Sequence, residues 1–208
     1  MTGLFIVFEG GDRTGKSTQV QRLHRWLEDQ GRAHIVTRQP GGTDVGTTLR
    51  HLVLDLASGD VDPRAEALIY AADKAQHAYE IIRPALARGE IVVSDRYVDS
   101  MIAYQGAGRK LALGEVAEIA WWAVGGLRPD LTIVLDADPD DAVSIKRDKD
   151  RLENAGLGFH RRVRRHFLDL AGQRPEAYLV MEAFQGKDAM AEQIAERVAR
   201  LLDQPQGR

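Results

Sequence analysis

The residues Gly10-Gly11-Asp12-Arg13-Thr14-Gly15-Lys16-Ser17 fit the spacing G-x-x-x-x-G-K-[ST]. The glycines let the backbone curl so that its N–H groups face phosphate oxygens. The lysine reaches the β and γ phosphates, and the serine hydroxyl can ligate Mg²⁺. Gly10, Gly11, Asp12, Arg13, Thr14, Gly15, Lys16, Ser17 and Thr18 are therefore candidate ligands of a triphosphate, with Lys16 also a candidate for catalysis. A helix starting at the end of such a loop adds its positive end to the cradle. The competing reading is a glycine-rich turn with a surface lysine. Switch proteins, motor ATPases and small-molecule kinases share this loop, so a second site has to decide among them.

A second constellation, Ser94-Asp95-Arg96-Tyr97, follows a short apolar run. A carboxylate at a strand end beside a phosphate loop can hold Mg²⁺ or its waters, which makes Ser17 and Asp95 the candidate metal ligands. The planar guanidinium of Arg96 suits an acceptor phosphate. A plain surface Asp–Arg pair is the alternative. The six histidines show no H-x-H or H-E-x-x-H spacing, so no zinc site is expected.

The elements that must position these residues alternate in type. Leu4–Glu9 and Ile91–Ser94 read as buried strands, and His34–Arg38, Leu131–Leu135 and Tyr178–Met181 as further strands. Val20, Leu23 and Leu27 share a helical face that Gly31 ends, and Val45–Leu56 reads as a helix. Pro63 opens a helical stretch to about Arg88, kinked or broken at Pro84, with Gly89 as its cap. Leu113–Val124, the basic amphipathic Phe159–Leu170 and a last helix through Met190, Ile194, Val198 and Leu201 complete the pattern. His160 and His166 on the basic helix are read as surface residues, and of Trp121-Trp122 at most one can face a given partner. The expected fold is α/β: a five-stranded parallel sheet flanked by helices on both faces, with ligands at the carboxyl ends of the strands.

The chain has 208 residues, 44% hydrophobic and 28% charged, which suits one domain over 1–208. It has no cysteine, which excludes disulfides and Cys-based metal sites. A net charge of −3 gives no sign of a nucleic-acid or membrane-surface protein. Neither a signal peptide nor an apolar run long enough to span a bilayer is visible, so a cytoplasmic location is expected.

Several further strings, in order, make the chain resemble the thymidylate kinases, which convert dTMP to dTDP with ATP. They are Phe8-Glu9-Gly10-Gly11-Asp12, Thr37-Arg38-Gln39-Pro40-Gly41-Gly42-Thr43, Tyr70-Ala71-Ala72-Asp73-Lys74-Ala75-Gln76-His77 and Asp95-Arg96-Tyr97-Val98-Asp99-Ser100. Ala103-Tyr104-Gln105-Gly106, Gly126-Leu127-Arg128-Pro129-Asp130-Leu131 and Asp150-Arg151-Leu152-Glu153 extend the resemblance over nearly the whole chain. It implies a P-loop kinase fold with a short mobile lid at about 146–158, ATP with Mg²⁺, and usually a homodimer. It also implies that Arg38, Arg50 and Arg96 surround the acceptor phosphate, that Asp12 lies near metal and sugar, and that Arg96 and Asp12 take part in catalysis. Tyr70 would stack on thymine, Tyr104 would lie under the deoxyribose where a 2′-hydroxyl would clash, and Gln105 would accept from N3–H and donate to O4. For both tyrosines, plain core packing is the alternative.

Three positions depart from the family's usual residues. Lys74 stands for Arg at a base contact, Met101 for a small or polar residue, and Gln39 for Glu. They read either as drift in a working thymidylate kinase or as the mark of a kinase of the same fold whose pocket takes another deoxypyrimidine monophosphate or a nucleoside. A catalytic arginine in this family sits either in the P-loop or in the lid. The chain carries Arg13 in the loop and Lys146, Arg147, Lys149 and Arg151 in the lid-like stretch. Arg13 is expected to contribute most, because the loop fixes it from the start. A P-loop ATPase or switch module remains the alternative of a different class.

Overall fold

The computed structural model describes residues 3–142 and 151–203. Lys146, Arg147 and Lys149 lie outside the described residues, and of the expected lid cations only Arg151 is placed.

Five strands, β1 (Phe5–Gly10), β2 (His34–Arg38), β3 (Ile91–Asp95), β4 (Leu131–Asp136) and β5 (Tyr178–Glu182), form one sheet in the order β2-β3-β1-β4-β5. Every pairing is parallel. Each strand coincides with a segment expected from the sequence to within a residue at either end. The reason is visible in β1, which is buried along its whole length. Side chains alternate across a strand, so Phe5 and Val7 enter one core while Ile6 and Phe8 enter the other.

Helices cover both faces. On the Ile6 side lie α1 (Lys16–Asp29) and α9 (Lys187–Leu202), joined to the sheet through Val20, Leu23, Met190 and Ile194. The opposite face carries most of the others. There α2 (Asp44–Leu54) starts on Thr43, whose hydroxyl accepts from Gly46 N, and α3 (Pro63–His77) starts on Asp62, whose carboxylate accepts from Arg64 N and Ala65 N. A wide π-type turn, Ala78–Ile82, joins α3 to α4 (Arg83–Ala87). It falls immediately before Pro84, where the missing N–H and the ring's bulk disturb an ordinary helix.

The segment after β3 is helical too: α5 (Val98–Met101) runs into a second π-type turn, Ile102–Gly108. The sequence reading gave this segment no element, because its residues are buried all round and show no helical stripe. Then come α6 (Leu113–Ala123), the short α7 (Pro139–Ala142) and α8 (Leu157–Gln173). The start of α8 overlaps the end of the expected lid. His160 on α8 is buried, contrary to the surface position expected for it, and packs edge-on against Phe159. Trp122 is 82% exposed while Trp121 turns inward beneath Arg128. Among the described residues, no helix is long and apolar enough to cross a membrane.

Candidate active site

The sheet's carboxyl edge brings the loops after β1, β2 and β3 together. At Gly10 the backbone has φ 127°, and a Cβ there would lie 2.4 Å from Leu135 O. Only glycine lets the loop leave β1 this close to β4. Lys16, the first residue of α1, curls back so that Nζ donates to Gly10 O (3.2 Å) and Gly11 O. Burial, with the nearby charge of Arg96, pulls its ammonium from the ordinary 10.5 to about 8. Arg13, Gly15, Ser17 and Thr18 line the same cleft.

Arg96 is the hub between this cleft and its neighbour. Its backbone is left-handed, with φ 70°. Nη2 donates to Asp12 Oδ1 at 2.6 Å, and Nη1 donates to Gly10 O (3.0 Å) and Ser100 Oγ (3.1 Å). Tyr104 donates its hydroxyl to Asp12 Oδ2 (3.2 Å), and its ring centroid lies 5.1 Å from the Arg96 guanidinium. Burial works to raise the pKa of Asp12, yet Arg96 and Lys16 outweigh it and leave that pKa below the usual carboxylate value.

Glu9 braces the hub from behind. Its fully buried carboxylate accepts from Tyr97 N (2.8 Å), Ser100 N (3.1 Å) and the Ser100 hydroxyl. The sequence reading gave Glu9 and Ser100 no role. One signal was available: a carboxylate inside an apolar strand must find donors.

The second cleft encloses about 550 Å³, including the part open to solvent, within the ~300–1,000 Å³ common for small-molecule sites. Arg50, Tyr70, Lys74, Arg96, Met101, Tyr104 and Gln105 all line it. Arg38 instead lines only the P-loop side. Four residues line both clefts: Asp12, Gln39, Arg50 and Arg96. The two spaces therefore share a wall that carries two guanidiniums.

Two buried networks hold the second cleft. In one, Lys74 Nζ donates to Gln39 Oε1 (2.9 Å). That fixes the Gln39 amide, so Nε2 donates to His77 Nδ1 (2.8 Å), and His77 Nε2–H is left to donate to Thr37 Oγ1 (2.6 Å). Burial, helped by Lys74, lowers the His77 pKa to about 4, which agrees with this neutral ring. Lys74 itself is brought down to about 8, chiefly by burial. In the other network Glu66, fully buried on α3, accepts from Gln105 Nε2 (2.9 Å), from Arg109 Nε (3.1 Å) and Nη2 (2.9 Å), and from Arg151. Arg151 also donates through Nε to Val53 O at 3.0 Å. The structure thus ties Arg151 to α2 and α3, and it does not line the P-loop cleft. Glu66 and Arg109 had no sequence signal, because the contact spans 43 positions.

The donor set fits a divalent cation. Asp95 Oδ1 is buried and makes no hydrogen bond among the described residues, in the cleft that Ser17 also lines. No group of three His, Cys, Asp or Glu able to hold a metal occurs among the described residues. A hard cation that takes most of its oxygens from phosphates and water needs no such cage.

A sequence model described as Thymidylate kinase matches residues 8–194. The chain belongs to the thymidylate kinase family. It is 53% identical over 203 residues to the thymidylate kinase of Cutibacterium acnes, covering 98% of this chain and 100% of that one. It is 48% identical to that of Deinococcus radiodurans over 92% of this chain and 94% of that one. The crystal structure of thymidylate kinase from Ehrlichia chaffeensis superposes with a TM-score of 0.76 at 28% identity, over 98% of this chain and 100% of that one. As a thymidylate kinase the chain is a nucleoside-monophosphate kinase that phosphorylates dTMP, and family membership makes ATP its phosphate donor.

Proposed function

We propose that the P-loop cleft holds the ATP phosphates, that the second cleft holds dTMP, and that the γ-phosphoryl group passes in line across their shared wall. The observation that carries this reading is the shared wall itself. Asp12, Gln39, Arg50 and Arg96 face both spaces, so two phosphate groups would meet there. Two anions approach each other at high cost unless fixed positive charge lies between them, and the transition state spreads negative charge over the same region.

In this reading Lys16 and the loop N–H groups hold the β and γ phosphates. Arg96 is held by Asp12, Ser100 and Gly10 O in one orientation, which removes the cost of arranging it during transfer. Arg50, and Arg38 from the P-loop side, complete the positive surround. Arg13 supplies the bridging cation. Ser17 and Asp95 would hold Mg²⁺, which when bound neutralises phosphate charge. Tyr70 faces the base and Tyr104 closes the space beneath the sugar, its hydroxyl held by Asp12. Lys74 and Gln105 are the polar groups at the base end, where Met101 supplies only apolar contact. The chain acts as one domain in the cytoplasm, paired as a homodimer, and light scattering of the purified protein checks the pairing.

The test is ADP release from Mg-ATP with dTMP, dUMP, dCMP, dGMP, UMP and thymidine. A strong preference for dTMP supports the reading and makes Lys74, Met101 and Gln39 tolerated changes. A better acceptor than dTMP would mark a retuned pocket. Turnover indifferent to every acceptor would point to an ATPase.

A further inference from the structure

Gln105 is buried at the base end of the acceptor cleft, and its amide has two faces of opposite character. Which face meets a base depends on what holds the other. Here Nε2 donates to Glu66 Oε1 at 2.9 Å, which leaves the amide Oε1 as the face for a base. The holder can take only one orientation. A carboxylate accepts and cannot donate, so a flipped amide would set its oxygen against the oxygens of Glu66. Glu66 in turn cannot swing away. Arg109 grips it with two parallel hydrogen bonds, 3.1 and 2.9 Å, and Arg151 binds the same carboxylate.

We propose that Glu66 is a positioning residue for base selection: it locks the Gln105 amide with its oxygen toward the cleft. The inference rests on the reading of this cleft as the dTMP site. Thymine and uracil present an N3–H donor beside an O4 acceptor, whereas cytosine presents an N3 acceptor beside an N4 amino donor. A locked Gln105 oxygen accepts from N3–H, and the Lys74 ammonium, a donor with no acceptor capacity, meets O4. Both groups are mismatched to cytosine at once. Met101 cannot repair the mismatch, since its thioether is a poor hydrogen-bonding partner. The selection therefore depends on a residue that does not line the cleft.

The experiment compares kcat/KM for dTMP, dUMP and dCMP in the wild type, Glu66→Gln and Glu66→Asp. Gln at 66 can donate as well as accept and releases the Gln105 amide to turn over. Asp keeps the charge that Arg109 and Arg151 require but withdraws it from Gln105, so it covers the case in which the Gln variant does not fold. In both variants the dCMP-to-dTMP ratio should rise about tenfold, the worth of one buried mismatched hydrogen bond, while the dUMP-to-dTMP ratio stays put. Arg109→Lys loosens the clasp that keeps Glu66 in place but leaves the acceptor, so it should move the dCMP-to-dTMP ratio in the same direction and by less. Equal losses on all three nucleotides in the Glu66 variants would overturn the proposal and leave Glu66 a structural anchor. The wild type gives an independent readout: the Gln105 side-chain amide protons should exchange with solvent far more slowly than those of exposed glutamines, and fast exchange would refute the lock. If the wild type itself shows no preference for dTMP over dCMP, the assignment of the cleft fails, which is a different outcome from a preference that Glu66 does not control.

Discussion

Lys74 Nζ donates to Gln39 Oε1 over 2.9 Å, so two of the three positions at which the chain departs from usual thymidylate kinase residues touch each other. They form one change in place of two. The amine meets a neutral amide where the family pattern has a guanidinium and a carboxylate, and the amide passes its own donor on to His77.

This contact sets a pH dependence. The Lys74 amine titrates near pH 8 instead of its ordinary 10.5 because it is buried. Below about 8 it is an ammonium and a strong donor, and as pH rises through 8 it loses its charge. KM for dTMP should therefore climb above pH 8. Lys74→Arg should remove that rise, since a guanidinium keeps its charge throughout. An alkaline limb in kcat should persist in the variant, because Lys16 also titrates near 8. The sign for folding is opposite. The cost of burying the ammonium is present below pH 8 and shrinks between 8 and 10.5, where the unfolded chain still holds the proton. Urea melts across that range should show no loss of stability attributable to Lys74.

Arg13→Ala should lower kcat by about 10³-fold, the scale of an arginine that stabilises transferred phosphoryl charge, with a much smaller effect on KM for either nucleotide. Steady-state kinetics with both substrates saturating decides this. A near-normal kcat would shift the role to the cations in the stretch 146–151.

Arg96→Lys should behave almost as badly as Arg96→Ala. The guanidinium reaches Asp12, Gly10 O and Ser100 together, and an ammonium on a flexible stem cannot hold all three. Loss of kcat/KM for dTMP on the order of 10²–10³ is expected for both variants. A lysine variant within a factor of a few of wild type would argue that charge alone matters at this position.

Gly108→Ala tests the support under the sugar end. A Cβ at 108 would lie 2.5 Å from the ring of Phe159, which packs edge-on against Tyr104 at 5.9 Å. Phe159 must move, and Tyr104 with it. Stability should fall by about 1–3 kcal/mol, read from urea midpoints, together with a raised KM for dTMP. Unchanged kinetics in a destabilised protein would separate the packing of Tyr104 from its use.

Much of this molecule is legible in its residues. The three central strands announce themselves because parallel strands buried on both faces are short runs of Val, Ile, Leu and Phe, while the half-exposed edge strands β2 and β5 are legible from shorter apolar runs. The P-loop is legible because its geometry needs glycine at fixed spacing. The helix at Val98–Met101 and the wide turn after it escaped because burial on every side erases the polar stripe that marks a helix. The braces escaped for another reason. Glu9–Ser100, Glu66–Arg109 and Gln39–His77 are pairings across the fold, and no local spacing records which carboxylate a distant arginine will meet. The binding groups were thus easier to see than the groups that aim them.

The first strand made is the middle strand of the sheet. During synthesis β1 leaves the ribosome with both of its edges open, and its neighbours β3 and β4 follow only much later in the chain. Until Ile91–Asp95 has emerged the Phe5–Gly10 segment is an unpaired apolar ribbon, until Leu131–Asp136 follows one of its edges stays open, and Lys16 has no finished wall around it. ATP can then lend no help to early folding, and nascent chains stalled before Leu131 should be clients of chaperones and prone to aggregate.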